Sequence, residues 1–167
     1  MLDIKIRQYN PSDLEQCRTL WEELTQHHQK IYNDPSIGGD TPGLYFDEHL
    51  ARIGPERIWV AEYSGDLVGL IGLIVDGEEA EVEPVVVASD YRNNGIGRAL
   101  LNHVIEEART LGVRYLNVKP VARNVEALSF FYNQGFQILG HIQLFMDFKE
   151  SDTWKQGPDL FGCPFKY

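Results

Sequence analysis

The chain has 167 residues, enough for one domain with a real core. It is 43% hydrophobic and 24% charged, as globular proteins are, and no stretch approaches the roughly 20 uninterrupted apolar residues of a membrane span. The formal charge of −10, from 25 acidic and 15 basic residues, argues against a nucleic-acid partner, whose binders neutralise phosphates. A negative field suits a cationic substrate, although acidity also serves solubility alone.

The N-terminal stretch MLDIKIRQYNPSDL carries early charges and no apolar run of signal-peptide length. Cys17 and Cys163 lie far apart, form no metal spacing and read as free thiols of an intracellular protein. A cytoplasmic location is therefore expected, and the five histidines make no metal set.

In chain order, the alternation Ile4-Lys5-Ile6-Arg7 predicts a strand, and Asn10 to Asp13 a break with capping chemistry. Leu14, Cys17, Leu20, Trp21 and Leu24 recur at helical spacing. Segment 33–43 is a loop by composition, and 45–53 reads as a short helix. Strands are expected over 57–63 and 67–75, joined by Ser64-Gly65-Asp66 as a hairpin, and over 80–88. A helix over 95–111 carries the stripe Ile96, Leu100, Val104, Ala108 and Leu111, and Gly112 stops it. A strand over 115–118, a helix over 124–133 and a last strand over 142–148 complete the order, with room for one or two further strands near Phe136.

This order predicts an α/β fold: a mixed, mostly antiparallel sheet with helices on both faces. The crossover from the Val85–Val87 strand to the Tyr115 strand should be right-handed. One domain is expected over 1–149. An irregular tail over 150–167 should be anchored to it by Trp154, Phe161, Phe165 and Tyr167.

Between a buried strand and an amphipathic helix stands Arg92-Asn93-Asn94-Gly95-Ile96-Gly97-Arg98. The first N–H groups of a helix lack internal partners, and the macrodipole is positive there. Glycines admit an oxyanion close to the backbone. Cations in the first turn oppose the dipole by roughly 0.3–1 kcal/mol each, which makes sense of Arg92 and Arg98 if an anion binds. No Lys-Ser/Thr follows, so this is no P-loop, and Leu100 stands where a dinucleotide fingerprint needs glycine. A tight turn with incidental arginines would give the same spacing.

Arg92-x-x-Gly95-x-Gly97, with Val85-Val86-Val87 before it and Ala99-Leu100-Leu101 after it, resembles the (Arg/Gln)-x-x-Gly-x-(Gly/Ala) signature of the GNAT superfamily of N-acetyltransferases. The resemblance runs from Ile4 to Phe148, with its motifs between Glu81 and Phe136. It implies acetyl-CoA as acyl donor and an amine, small or on a protein or peptide, as acceptor. The amides around Asn93, Asn94, Gly95, Ile96, Gly97 and Arg98 would then hold the pyrophosphate. Backbone groups of Val85 and Val87 would pair with the pantetheine arm. It also implies a GNAT-like sheet with a splayed central parallel pair, and it is compatible with a homodimer. Pro84 lacks an N–H and should bulge or disrupt its strand, or mark an edge.

Asn124-x-x-Ala127-x-x-x-Phe131-Tyr132-x-x-x-Phe136 is similar to the family's second block. This adds Asn124 and Phe131 to the coenzyme set and assigns Tyr132 beside the thioester sulfur. Amine attack on a thioester ends by expelling a thiolate, and a phenol of ordinary pKa about 10 can donate to it. A half-buried helix tyrosine would read the same way.

An alkyl amine, of pKa about 10.4, must first lose a proton. Glu81 and Glu83 lie two apart on one strand and so share a face. Glu81 occupies the position of the base glutamate in the histone-acetylating branch of the family, and Glu83 is nearer the expected acetyl group. Glu83 is favoured as base or as acceptor for the ammonium, with a water relay or a solvent-facing pair as alternatives. His27 and His28 read as exposed, and His141 as a weaker pocket candidate. In the family the acceptor pocket maps to about 26–50 and 140–148. Tyr32, Asp34, Asp40 and Tyr45 there suit an amine. The competing class is a non-catalytic acyl-CoA-binding sensor or scaffold, which would need the glycines and Asn124 but neither Tyr132 nor a base.

Overall fold

The first strand runs on into a capped turn, and its charges explain why. In a computed structural model that describes residues 2–149 and 153–167, β1 (Lys5–Gln8) carries Arg7, which bonds both oxygens of Asp13 at 2.7 and 2.9 Å and Glu62 at 2.7 Å. Asp13 in turn accepts from the Asn10 N–H, and Asn10 accepts from the Ser12 N–H, a reciprocal box before the first helix. The chain divides into two compact units, Met1–Lys119 and Pro120–Tyr167.

In the first unit α1 (Leu14–Tyr32) and α2 (Tyr45–Ile53) precede β2 (Ile58–Tyr63), β3 (Asp66–Asp76) and β4 (Glu79–Val87). Then come α3 (Ile96–Thr110) and β5 (Tyr115–Asn117). The sheet order is β1-β2-β3-β4-β5, antiparallel except for the parallel pair β4–β5. Alternate residues take opposite faces. Ile58, Val60, Leu70 and Val86 pack with Cys17, Leu20 and Phe46 of α1 and α2. Trp59 and Gly69, one residue out of phase, meet α3: the Trp59 ring stands 5.5 Å from His103, and a Cβ on Gly69 would lie 2.8 Å from Leu100. Helices therefore cover both faces, as the sequence predicts.

In the second unit α4 (Val125–Asn133) is capped by Asn124, whose side chain accepts from the Ala127 N–H at 3.1 Å. β6 (Gln156–Leu160) and β7 (Cys163–Lys166) form an antiparallel hairpin within the tail that the sequence reads as irregular. Trp154 donates to Asp147 at 2.8 Å, stacks near Phe145 and lies under the Arg123 guanidinium.

Two expectations are corrected. Segment 142–148 forms no strand, and Leu144, Phe145, Met146 and Phe148 are exposed. Nor is there a strand near Phe136 among the described residues. A period of two says which face a strand would show, but a strand exists only if a neighbour completes its ladder. The parallel pair that the fold class includes is present as β4–β5, with β5 the last strand of the described five-stranded sheet. Among the described residues no helix is long and apolar enough to cross a membrane.

Candidate functional site

The strand that carries Pro84 is bulged, as its missing N–H requires. Val82 stands opposite Leu73 and Val85 opposite Ile71, so Glu83 and Pro84 together face Gly72 alone. The Glu83–Pro84 peptide is cis. A Cβ on Gly72 would fall 2.3 Å from the Glu83 carbonyl oxygen, so only glycine fits beneath the bulge.

The other edge of β4 opens immediately. β5 pairs with it only from Glu79 to Glu81, and among the described residues nothing pairs there from Val82 onward. The Ala88 N–H donates to Val68 at 3.0 Å. Alternate residues of an antiparallel ladder bond the same neighbour, so Val86 also turns its backbone to β3. Val85 and Val87 turn theirs to the open edge. The Val86 side chain is buried in the α1–α2 core, and the Val87 carbonyl accepts from Arg92 Nε at 3.2 Å.

Past that edge the chain turns through Asn93 (φ 63°) and Gly95 (φ 82°) into α3. Asn94 stiffens the turn by donating to the carbonyls of Tyr91 and Arg92. Gly95 is the N-cap, and no side chain caps the helix. The first turn holds no acidic residue, and its first backbone bond runs from the Ala99 N–H to the Gly95 carbonyl. A Cβ at Gly95 would touch nothing within 4 Å, so the left-handed φ and not crowding selects glycine. The contrast with α4, capped by Asn124, is informative. Here no side chain caps the leading N–H groups, and Arg92 and Arg98 flank them in the sequence, a donor set suited to a phosphate.

Both strand glutamates have cationic partners. Glu81 accepts from Lys119, whose ammonium is held above its ordinary pKa first by that bond, then by the charges of Glu81, Glu83 and Glu79. Glu83, 44% exposed, lies 3.5 Å from Arg52 Nη2. Arg52 also donates to His49 Nδ1 at 3.1 Å. His49 is buried against Trp21, with ring centroids 5.1 Å apart, and its pKa is pushed down to about 4. Burial is the main cause, Arg52's charge adds to it, and the Glu83 backbone carbonyl opposes it. That carbonyl is close enough to favour the proton, yet Nε2 has no hydrogen bond of ordinary geometry. Sequence reasoning missed His49 and Arg52. The available signal was His49's place on the apolar stripe Phe46, His49, Leu50 and Ile53.

Other candidates disperse. Asp34 is used in its own turn, accepting from Ser36 at 2.9 and 2.6 Å, and Asp40 is exposed. His27 and His28 are half-buried rather than exposed, and burial lowers the pKa of His28. In the second unit Tyr132 is 57% exposed, Asn124 is spent on its cap, Phe131 is buried with its ring 5.8 Å from Phe136, and His141 is exposed.

A family model described as the acetyltransferase (GNAT) family matches residues 18–136. An uncharacterized N-acetyltransferase of Methanocaldococcus jannaschii is 29% identical over 139 residues, covering 79% of this chain and 60% of that protein. The chain spans 45% and 60% of the length of the first two curated relatives it matches. Among solved structures, Ard1 from Thermoplasma volcanium superposes with a TM-score of 0.67 at 24% identity, covering 83% of this chain and 86% of that one. An aminoglycoside N-acetyltransferase in complex with CoA does so with a TM-score of 0.64 at 17% identity, covering 87% and 95%.

Proposed function

Because the chain belongs to the acetyltransferase (GNAT) family, we propose that it transfers an acetyl group from acetyl-CoA to an amine acceptor by direct attack. The observation that carries this reading is the uncapped, acid-free N-terminus of α3 beside the open edge of β4. The N–H groups from Asn93 to Arg98 would hold the pyrophosphate, and the edge-facing backbone of Val85 and Val87 the pantetheine arm. When bound, acetyl-CoA supplies the thioester whose acyl carbon takes the new C–N bond as the C–S bond breaks.

The chain's own groups do the rest. Glu83, standing at the bulge, accepts the proton of the acceptor ammonium directly or through water. A backbone N–H of the Val85–Val87 strand donates to the carbonyl oxygen as its charge grows. The Tyr132 phenol donates to the departing sulfur, a role that rests on the family resemblance. Holding the reactants together supplies much of the rate. Glu81 is a weaker base candidate than Glu83 because Lys119 already engages it. We assign the work to the cytoplasm, which the free thiols of Cys17 and Cys163 support.

The test has two stages. Acetyl-CoA should raise the melting temperature by mass action, and free thiol should then appear when an acceptor is added from a panel of small amines and peptides. A protein that binds acetyl-CoA but releases thiol with no amine would be the non-catalytic acyl-CoA module instead.

A further inference from the structure

Among the described residues, a plain cation meets no unpaired carboxylate on the partly buried part of β4. Both partly buried glutamates of β4 are matched, Glu81 by Lys119 and Glu83 by Arg52. A simple ammonium approaching Glu83 would have to displace Arg52 and would meet its like charge. An acceptor carrying a carboxylate beside its amine escapes that conflict, since each end has its own partner. We propose that Arg52 and Glu83 read the two ends of a zwitterionic acceptor, an α-amino acid whose carboxylate goes to Arg52 and whose amine goes to Glu83. This rests on the transferase reading above and names the acceptor class for it.

The geometry favours such a ligand in three ways. First, the Arg52–Glu83 contact is long at 3.5 Å, and its side chains are 57% and 44% exposed, so it is a loose pair within a ligand's reach. Second, Arg52's contacts with His49 and Glu83 both use Nη2. A carboxylate can take a single bond from Nη1, or a paired grip that includes Nη2 once the loose 3.5 Å contact with Glu83 gives way to the ligand. Third, His49 holds the guanidinium from a buried position and, being neutral, adds no second cation to the subsite. His49 is thus a positioning residue. The two opposite charges lie side by side, which matches an amine and a carboxylate one carbon apart. A peptide N-terminus, with an amide at that position, offers Arg52 only a neutral carbonyl oxygen, a weaker partner than a carboxylate.

The experiment compares each of the twenty α-amino acids with its own carboxamide, and with putrescine and spermidine, at fixed acetyl-CoA, following thiol release. At least one amino acid should exceed its carboxamide and both polyamines in kcat/KM by about tenfold. Carboxamides carry less basic amines, so this preference runs against intrinsic reactivity. Arg52→Gln should bring the acid-to-amide ratio close to one, and Arg52→Lys should leave it intermediate. A folding defect scales both substrates alike and cannot move the ratio. Carboxamides or polyamines turned over as well as the acids would overturn the proposal, as would an undiminished ratio in Arg52→Gln. Should that variant fail to fold, the wild-type panel decides alone. A protein that binds acetyl-CoA yet answers none of the twenty acids sinks the zwitterion reading and spares the coenzyme site. One that shows no melting shift with acetyl-CoA sinks the transferase reading itself.

Discussion

Gly72→Ala puts the bulge of β4 to the test. The new methyl would lie 2.3 Å from the Glu83 carbonyl oxygen, 3.2 Å from its carbon and 3.2 Å from His49 Nε2. The nearest obstacle is backbone, held by the ladder on either side at Val82 and Val85, so it cannot swing away as a side-chain tip would. Overpacking of this kind costs about 2 kcal/mol. For a chain of this length that lowers the melting temperature by about 4–8 °C. Any relief must come from moving Glu83 and Val85, so turnover should fall by about tenfold or more even where the protein is folded. Circular dichroism melts and thiol release at a temperature well below the transition read the two effects separately. Gly140→Ala is the control, since a Cβ there meets nothing within 4 Å and the backbone is not left-handed. A Gly72→Ala protein that melts within a degree of the parent and turns over normally would refute the bulge as drawn.

Tyr132→Phe should lower turnover by about 10- to 100-fold while acetyl-CoA affinity, by calorimetry, stays nearly unchanged. Equal turnover would remove Tyr132 from the chemistry. Gly97→Glu sets a carboxylate in the first turn of α3, where it should steady the helix through the dipole yet repel a diphosphate. The expected result is an unchanged or slightly raised melting temperature with acetyl-CoA affinity weakened about 100-fold or more, and unaltered affinity would count against the anion site. His49 sets a pH dependence. With its pKa at about 4 in the fold and about 6.5 in the unfolded chain, the unfolded state binds the extra proton between those values. Stability is therefore full above about pH 6.5 and falls as pH drops toward 4, by about 3 kcal/mol from this group. Urea titrations at pH 7 and pH 4.5 should show the loss, and a folded His49→Gln variant should show much less of it.

What was legible in the sequence was local. Gly95 and the absence of an acid in the first turn mark an uncapped helix start within a few residues, and Pro84 marks the bulge by itself. The bounds of α2 follow from its own periodicity. The missed features need partners far along the chain. Arg52 is an ordinary surface charge until its helix is set beside the strand that carries Glu83, the one of the pair that the sequence does single out, and His49 reads as one more member of an apolar stripe. The 142–148 segment shows the converse. Its alternation is real, yet alternation carries no information about which backbone will complete the ladder.

The first unit gives up stability at the places the proposed chemistry needs. α4 has the side-chain cap that α3 lacks, a difference worth about 1 kcal/mol. Arg98 in the first turn of α3 adds a charge opposed to the helix dipole. β4 abandons a regular ladder at Glu83, and His49 buries a ring nitrogen without a good partner. An anion at α3 would satisfy the first pair of defects, and an extended ligand along the open edge of β4 would take up the groups the ladder leaves there. The defects on β4 and the turn that follows it share complementary ligands, as the proposed coenzyme site requires, whereas the buried His49 nitrogen on α2 is a separate cost.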